Sequence, residues 1–462
     1  VDYNYDLIVI GSGPGGYVAA IRAAQLGLKA AVVEKDKPGG VCLNIGCIPS
    51  KALIHQAEIF HNRKALEAMG VKLDMAGFDY APVFKKSRAA ADKLSKGVQG
   101  LLKRNKIEYI SGEARITGNH ELTVDGSKKL TAKNILIATG STPREIPGFE
   151  FDEDQVISST GALMLEKLPK SLIILGAGAI GIEFAFVMSS FGVEVTVVEM
   201  LDRILPLEDE EVVNVLYKDY KKRGITFLTG TKATKLARKK SGLTVTVEDK
   251  SGKSRELEAE KLLVAVGRAP NSAELGLEDL GVKTERGFIV TKDYYQTSVP
   301  GIYAIGDVIA SPLLAHVAMK EGEMAVEHIA GHPVPAKLDP DIIPSAVYCE
   351  PQIASFGPTE EKARERGLDF EAASFPYRGA GKSVAIEQPE GMVKVIYDKN
   401  TSELLGAHVV GANATELIHE LLLAKKSELL PEDIATMVHA HPTLSEAVME
   451  GARAAEGWVI HA

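Results

Sequence analysis

Two cysteines, Cys42 and Cys47, stand five positions apart in the run Gly39-Gly-Val-Cys-Leu-Asn-Ile-Gly-Cys-Ile-Pro-Ser-Lys51, and the chain has only one other, Cys349. Pro49 with Ser50, Lys51, Ala52, Leu53 and Ile54 reads as the start of a helix, because proline is tolerated in a first turn. A thiol near a helix N-terminus feels the positive end of the dipole, which favours the thiolate. So close a pair can form a small disulfide ring, and one sulfur can be held as a stabilised thiolate when the ring opens. That is redox chemistry at sulfur. A bare pair at this spacing also describes two buried, inert cysteines, so the neighbourhood must decide. A second candidate lies near the end, in His439-Ala-His441-Pro-Thr-Leu-Ser-Glu446. Histidine moves protons near neutral pH. Glu446 can orient His441 and raise its basicity, although a histidine before proline is also an ordinary structural residue.

The elements that must position these groups are legible. Asp6 to Ile10 is a short buried strand, followed by Gly11-Ser-Gly13-Pro-Gly15-Gly16, a helix over Tyr17 to Leu26, and a strand over Leu28 to Val33 that ends at Glu34. The glycines let the backbone turn and approach a pyrophosphate, the helix N-terminus stabilises its charge, and the acid accepts from a ribose diol. The pattern repeats: strand Ser171 to Leu175, then Gly176-Ala-Gly178-Ala-Ile-Gly181, helix Ile182 to Phe191, and strand Val193 to Val198 ending at Glu199. In both repeats the acid falls 18 residues past the last glycine. Two such units imply two dinucleotides, or one cofactor and one exchanging substrate. Glu199 suits a free 2′-hydroxyl and repels a 2′-phosphate, which favours NAD over NADP. Met200 and Leu201 offer no cation, although Arg203 is near.

Between the repeats, a helical, partly charged stretch reaches about Lys106, and Glu108 to Asp125 reads as strands and a hairpin. Lys133 to Pro143 is a buried strand ending in a turn at Thr139 and Gly140, and Lys261 to Arg268 echoes it. Gly301-Ile-Tyr-Ala-Ile-Gly306-Asp307 places a carboxylate after a glycine turn, suited to a polyol chain or to a helix cap for the following segment, which contains Leu313 to Gly322. From about Pro340 no dinucleotide motif remains. Strand patterns occur at Ala346 to Tyr348, Gly391 to Tyr397 and Leu404 to Val410, and helices at Ala414 to Lys426 and Pro431 to Met437.

Length and composition set bounds. The 462 residues suggest two to four domains, and 45% apolar with 25% charged residues is a globular composition. A net charge of −9 gives a nucleic-acid partner no electrostatic support. No apolar run reaches the length of a membrane span, and no signal or transit segment is legible. The expected compartment is the cytoplasm, with a processed mitochondrial-matrix form as the alternative, since Val1 reads as a processed or trimmed start. Three cysteines argue against a secreted disulfide framework, so a disulfide here is catalytic or redox-sensing.

Taken together, the Cys42 to Lys51 run, the two glycine fingerprints, Gly306-Asp307 and His441-Pro-Thr-Leu-Ser-Glu446 resemble the class I flavoprotein pyridine nucleotide-disulfide oxidoreductases over essentially the whole chain. The Ser50-Lys51 ending favours the branch that oxidises protein-bound dihydrolipoamide. No cysteine follows Cys349, so the C-terminal thiols of other branches are absent.

The resemblance implies an α/β fold with two Rossmann-like dinucleotide-binding domains and a C-terminal α+β dimerisation domain. The expected divisions are 1–144 for the first part of the FAD domain, 145–268 for the NAD domain, 269–340 for the second FAD part and 341–462 for the interface domain. Gly11, Gly13, Gly15, Gly16, Glu34, Lys35, Gly40, Val41, Ala114, Thr139, Gly140, Asp307 and Ala315 are expected around FAD. Gly176, Gly178, Ile180, Gly181, Glu199, Ala233 and Gly267 are expected around NAD. Lys51 is expected beside the flavin, paired with Glu183. Cys42 would exchange with substrate sulfur, Cys47 would face the flavin, and His441 supported by Glu446 would be the base, reaching the disulfide of a second subunit. A homodimer is therefore implied, with lipoyl domains and the acyltransferase core of a 2-oxo acid dehydrogenase complex as partners, and no metal. Reduction of another small thiol, or chiefly a docking role in such a complex, are the alternatives. Two departures stand out: Ala179, where some relatives carry a tyrosine covering the nicotinamide side, and the Lys-Lys-Ser-Glu-Leu-Leu end of the helix that begins at Ala414. Cys349 matches no family thiol and is expected to be a buried structural residue.

Overall fold

The computed structural model describes residues 2–461; Val1, read above as a trimmed start, lies outside the described residues. A first sheet runs in the order Glu108–Ser111, Ala30–Glu34, Tyr5–Ile10, Lys128–Ile137, and these four strands are parallel. The long strand Lys128–Ile137 serves two purposes. Its second half lies between Tyr5–Ile10 and the returning strand Ile302–Ala304, while its first half pairs antiparallel with Glu121–Val124. Strands buried on both faces read as continuous apolar runs, and Leu7, Ile8, Val9, Ile135, Leu136 and Ile137 are fully buried here.

The second parallel sheet orders Thr226–Leu228, Glu194–Val198, Ser171–Leu175, Lys261–Val264 and Val156–Ile157. Each of the two sheets carries its glycine turn into a helix, Pro14–Gln25 in the first and Ala179–Ser190 in the second. The fold class expected from the sequence is the one observed. A three-stranded antiparallel sheet of Thr231–Lys239, Gly242–Asp249 and Ser254–Ala259 hangs from the second unit.

The C-terminal part is a five-stranded antiparallel sheet in the order Ser345–Val347, Gln352–Phe356, Leu404–Gly411, Met392–Asp398, Phe370–Pro376. The helices Ala414–Lys426, Pro431–Thr436 and Ser445–Ala455 pack on it. Its polar link to the second unit is buried. Lys394 reaches Asp209 at 3.0 Å, Glu211 at 2.9 Å and Glu360 at 2.6 Å, and Ser345 and Ser355 donate to Glu208.

Several sequence readings need correction. The stretch to Lys106 is three helices, Cys47–His61, Arg63–Ala68 and Ala81–Arg104, separated by an irregular passage at 69–80 where Gly70 takes a left-handed φ of 88°. The strands Gln352–Phe356 and Phe370–Pro376 and the helices Glu210–Lys222 and Ser445–Ala455 have no counterpart in the reading above.

Candidate active site

The helix that carries Cys47 begins at that residue and not at Pro49. A short helix, Gly40–Ile45, precedes it, and Gly46 breaks the two apart at φ −148°, ψ −115°. A Cβ on Gly46 would meet the Val41 carbonyl at 2.9 Å and Cα of Cys42 at 3.2 Å, so glycine lets the chain fold back on Cys42. Arg88 and Asn44 fix the turn: Arg88 donates to the Asn44 carbonyl at 2.9 Å, and Asn44 donates to the carbonyls of Pro38 and Gly40. The two cysteines stand as free, partly buried thiols. The Cys42 thiol is pushed up, chiefly because it donates its hydrogen to Cys47. Cys47, receiving that hydrogen bond, falls to about 7 against burial, with the Lys51 charge assisting. The charge of the pair thus resides on Cys47.

Lys51 lies one helical turn beyond Cys47, so both project from the same face. Its ammonium donates to both carboxylate oxygens of Glu183, at 3.0 and 2.9 Å. Burial works against the Lys51 charge, and Glu183 more than offsets it, so the pKa is raised. Glu183 also accepts from the Tyr348 backbone N–H at 3.1 Å, and the Tyr348 ring centroid lies 4.5 Å from the Lys51 ammonium.

The two fingerprints fit phosphate-bearing dinucleotides, and their glycines divide the work in the same way. Gly11 and Gly176 take φ of 98° and 100°, where the turn grazes the next strand's end. A Cβ on Gly16 or Gly181 would strike the carbonyl of Gly11 or Gly176, so these positions allow the helix to sit against the strand. A Cβ on Gly13 or Gly178 would meet no protein atom within 4 Å, so there the bare backbone faces open space at a helix N-terminus. That is the surface a pyrophosphate needs. Glu34 accepts from Ser12 N and Oγ at 2.7 and 2.8 Å and from Asp36 N at 2.9 Å. Glu199 is held likewise, by Ala177 N at 2.7 Å and Leu201 N at 2.8 Å. Arg203 does not serve this site: its guanidinium is engaged by the Pro206 carbonyl and by Glu361.

Around the first fingerprint, Gly40 lies against Gly13, since its Cβ would meet Gly13 Cα at 2.8 Å, and Val41 follows it into the short helix. Gly15 packs under the Ala318 carbonyl. Lys35 is turned outward to Glu113 at 2.9 Å, and Ala114 is buried at the start of its strand. Thr139 donates to the Asn271 carbonyl at 2.7 Å, and Gly140 turns with φ 70°. Asp307 accepts from Ser141 at 2.6 Å and faces Arg268 at 3.6 Å. It does not cap the Ala315–Ile329 helix, whose N-cap is Leu314; Ala315 is the first residue of that helix. Around the second fingerprint, Ile180 lies in the first turn of its helix, Ala233 borders a register shift in its strand, and Gly267 takes φ 114° with open space at its Cβ.

His441 is three-quarters exposed and its Nδ1 lies 2.8 Å from Glu446. Glu446 also accepts from Thr443 N at 2.8 Å, and these partners hold its carboxyl below the usual range in spite of partial burial. With Nδ1–H donated to a carboxylate, Nε2 carries the basic lone pair. His439 is different: its side chain is buried, with Nε2 on Glu420 and Nδ1 on the Met437 carbonyl. The same C-terminal part of the chain bears exposed Leu423, Met437, Val438, Trp458 and Ile460.

Arg268, Ser141, Asn271, Tyr348 and Glu321 escaped the sequence reading. Glu321 is buried, accepts from Gly306 N at 2.7 Å, and is pushed up to about 7 by burial. Arg268 donates to Ser141 Oγ and O, both at 2.6 Å. The only available signal was position: Ser141 and Arg268 follow the glycines of the two echoing strand ends.

Two dinucleotide cradles flanking a dithiol, with a carboxylate-paired lysine beside the more acidic sulfur, define an oxidoreductase that couples thiols to a pyridine nucleotide. Residues 5–322 match the pyridine nucleotide-disulphide oxidoreductase family, and residues 343–452 match the dimerisation domain of that family. The chain belongs to this family. It is 45% identical to a dihydrolipoyl dehydrogenase of Rhizobium etli, with 99% of each chain covered. It is 46% identical to one of Corynebacterium glutamicum, again over 99% of each. A mitochondrial dihydrolipoyl dehydrogenase of Pisum sativum is 41% identical over 99% of this chain and 92% of that one. Among solved structures, LpdA of Mycobacterium tuberculosis superposes with a TM-score of 0.89 at 26% identity, covering 97% of this chain and 99% of the other. The flavoprotein disulfide reductase RclA of Escherichia coli, in its Cu(II) complex, gives 0.87 at 26% identity over 98% and 99%. Among the described residues no helix is long and apolar enough to cross a membrane.

Proposed function

We propose that the protein oxidises protein-bound dihydrolipoamide to lipoamide, with FAD and NAD+ as cofactor and acceptor. The observation that carries this reading is the dithiol itself, with its charge resident on Cys47, beside Lys51 and between two dinucleotide cradles. Full-length relatives named dihydrolipoyl dehydrogenase supply the substrate class. The FAD unit comprises residues 1–144 and 269–340, because Ile302–Ala304 returns to the first sheet. Residues 145–268 form the NAD unit, and 341–462 the interface domain of a homodimer. The match of residues 343–452 to a dimerisation domain and the exposed apolar residues of that part, Leu423, Met437, Val438, Trp458 and Ile460, favour a covering second copy. Lipoyl domains and an acyltransferase core are the partners in a 2-oxo acid dehydrogenase complex.

The residues act in sequence. In the oxidised protein Cys42 and Cys47 are joined as a disulfide. His441 of one copy, oriented by Glu446, takes a proton from a substrate thiol at Nε2. The resulting thiolate attacks Cys42 Sγ, and the disulfide bond breaks to release Cys47 as a thiolate. The second substrate thiol passes its proton to the Cys42 sulfur that it displaces, so the substrate leaves as a cyclic disulfide, with Cys42 left as a thiol, Cys47 as a thiolate and the first proton on His441. Lys51, held by Glu183, keeps the Cys47 thiolate stable. When bound, FAD supplies the two-electron relay from the dithiol to NAD+, which regenerates the disulfide. Gly13 and Gly178 leave the backbone bare for the two pyrophosphates, Glu34 and Glu199 take the riboses, and Asp307 orients the flavin's polyol chain.

Absorption spectroscopy of the purified protein tests this. A flavin spectrum that gains a long-wavelength charge-transfer band on anaerobic addition of one equivalent of dihydrolipoamide is expected, together with NAD+-dependent turnover that C47S abolishes. Bleaching without the band, or turnover that survives C47S, refutes the relay.

A further inference from the structure

The mechanism leaves one feature of the redox centre unused. Lys51 has three N–H bonds. Two are satisfied by Glu183, whose side chain is 10% exposed, and the third is free to serve the thiolate or the flavin. On a four-carbon stem, an ammonium can rotate or swing outward to water. Here the Lys51 side chain stays a third exposed, and an aromatic face opposes that outward swing: the Tyr348 ring centroid lies 4.5 Å from Nζ, within the range at which a ring quadrupole attracts a cation. The same residue donates its backbone N–H to Glu183 Oε1 at 3.1 Å. Tyr348 therefore touches both members of the ion pair, one through its ring and the other through its main chain.

Its place in the chain adds to this. Tyr348 directly follows the strand Ser345–Val347, the first of the C-terminal sheet, and precedes the buried Cys349. That strand is anchored by Ser345 on Glu208 and, just before it, by the Pro344 carbonyl on His316 Nε2 at 2.8 Å. The ring thus stands on a fixed base supplied by the part of the chain that matches the dimerisation domain.

We infer that Tyr348 is a positioning residue, whose ring holds the Lys51 ammonium over the redox pair so that Cys47 keeps its negative charge in the reduced protein. This rests on the thiol relay proposed above. The charged and titratable groups facing Cys47 are Cys42 from the preceding short helix, Lys51 from its own helix, Glu183 from the helix Ala179–Ser190, Tyr348 from the C-terminal sheet, and Arg268 from the strand that follows Gly267. Among these, Lys51 is the cation that lowers the Cys47 thiol, so displacing it weakens the thiolate.

The test is the pH midpoint of the charge-transfer band in FAD-loaded protein reduced anaerobically, measured in Y348F, Y348L and each of these in a K51M background. Y348L is expected to move the midpoint upward by about half a unit to one unit, the range a lost cation–π contact allows. Y348F, which keeps the ring, is expected to leave it unmoved, and in the K51M background Y348L is expected to add no further shift. An unmoved midpoint in Y348L overturns the inference. So does a Y348F shift equal to that of Y348L, or a Y348L shift that persists without Lys51, since either marks a hydroxyl or a general packing effect. If Y348L does not retain FAD, Y348Q carries the same expectations. Absence of the band from the unsubstituted protein refutes the thiol relay itself, an outcome distinct from any of these.

Discussion

Lys51 and Glu183, 132 positions apart, meet in a two-oxygen ion pair at 3.0 and 2.9 Å, and this contact joins the helix of Cys47 to the helix of the second dinucleotide cradle. Removing the cation has a signed effect. Lys51 lowers the Cys47 thiol, so K51M raises it, and the thiolate is lost at a higher pH. The charge-transfer band of the reduced protein is expected to disappear at a midpoint about one unit or more above that of the unsubstituted protein. The buried Glu183 is left with only the Tyr348 N–H, so a loss of about 1–3 kcal/mol in stability is also expected, read as a lower unfolding temperature. An unchanged midpoint in K51M would remove Lys51 from the site.

The proposed function makes His441 and Glu446 the proton-handling pair and leaves out His439, whose side chain is buried against Glu420. H441Q is expected to lower kcat with dihydrolipoamide by about 10²- to 10⁴-fold, and to leave the absorption spectrum of the oxidised protein unchanged. E446Q is expected to cost less, because the imidazole keeps its lone pair and loses only its orientation. Glu446 is held below the usual carboxylate range, so it remains ionised across the neutral region and does not set the acid limb of the rate profile. H439Q, which breaks a contact to Glu420, is expected to affect stability with little change in the rate of the reductive half-reaction. A rate loss in H439Q equal to that in H441Q would reverse the assignment.

The glycines allow a sharper separation of binding from folding. Ala at position 13 meets no protein atom, whereas Ala at position 16 strikes the Gly11 carbonyl. G13A is therefore expected to yield folded protein that binds FAD at least about tenfold more weakly. G16A is expected to give poorly folded protein with or without added FAD. In the second cradle G178A is expected to raise the KM for NAD+ with FAD retained, and G181A to lose stability. Equal FAD affinities of G13A and the unsubstituted protein, by titration of the apoprotein, would show that the first cradle has been misread.

What was legible follows from how locally each feature is encoded. The two cradles could be read because strand, glycine turn, helix and acid occupy about thirty consecutive residues, and each glycine answers a local steric demand. The element edges slipped by one or two positions, as at Cys47, where the helix begins two residues before Pro49. The sheet strands Gln352–Phe356 and Phe370–Pro376 were missed because a short run beside Pro351 or Pro376 carries little period, and only pairing with Leu404–Gly411 and Met392–Asp398 stabilises them. The contacts of Arg268, Ser141 and Tyr348 could not be read, and for the first two only their place after the glycines of echoing strand ends gave any signal. Their partners, Asp307 and Lys51, lie between 39 and 297 positions away in sequence, and nothing in their immediate neighbours announces the contact.

Under the proposed function, Glu199 is the residue that gives the second cradle a preference between nucleotides. Both its oxygens are fixed by backbone N–H groups at the end of the strand Glu194–Val198, so the carboxylate cannot swing aside for a 2′-phosphate. The nearest cation in sequence, Arg203, is already engaged by Glu361 and the Pro206 carbonyl. NAD+ is expected to be favoured over NADP+ in kcat/KM. E199Q is expected to narrow that preference by about tenfold or more, chiefly through the KM for NADP+. A preference untouched by E199Q would place the ribose elsewhere.

Thiol counting separates the three cysteines. Cys349 is fully buried, its Sγ donates to the Pro351 carbonyl at 3.4 Å, and burial pushes its thiol up to about 12. A thiol so placed is neither ionised nor accessible, and reactivity follows the thiolate. Cys42 and Cys47 are partly exposed, and the charge they share lies on Cys47, at about 7. The oxidised protein is therefore expected to show no fast-reacting thiol, the anaerobically reduced protein two per chain, and the denatured reduced protein three. The alkylation rate of the reduced pair is expected to rise through the neutral region as the Cys47 thiolate forms. C349A is expected to leave the fast count and the charge-transfer band as they are and to cost about 1 kcal/mol or more of stability through the cavity it leaves. A fast third thiol in the native protein would mean that Cys349 is reachable, and the assignment of the redox pair would then rest on C42S and C47S alone.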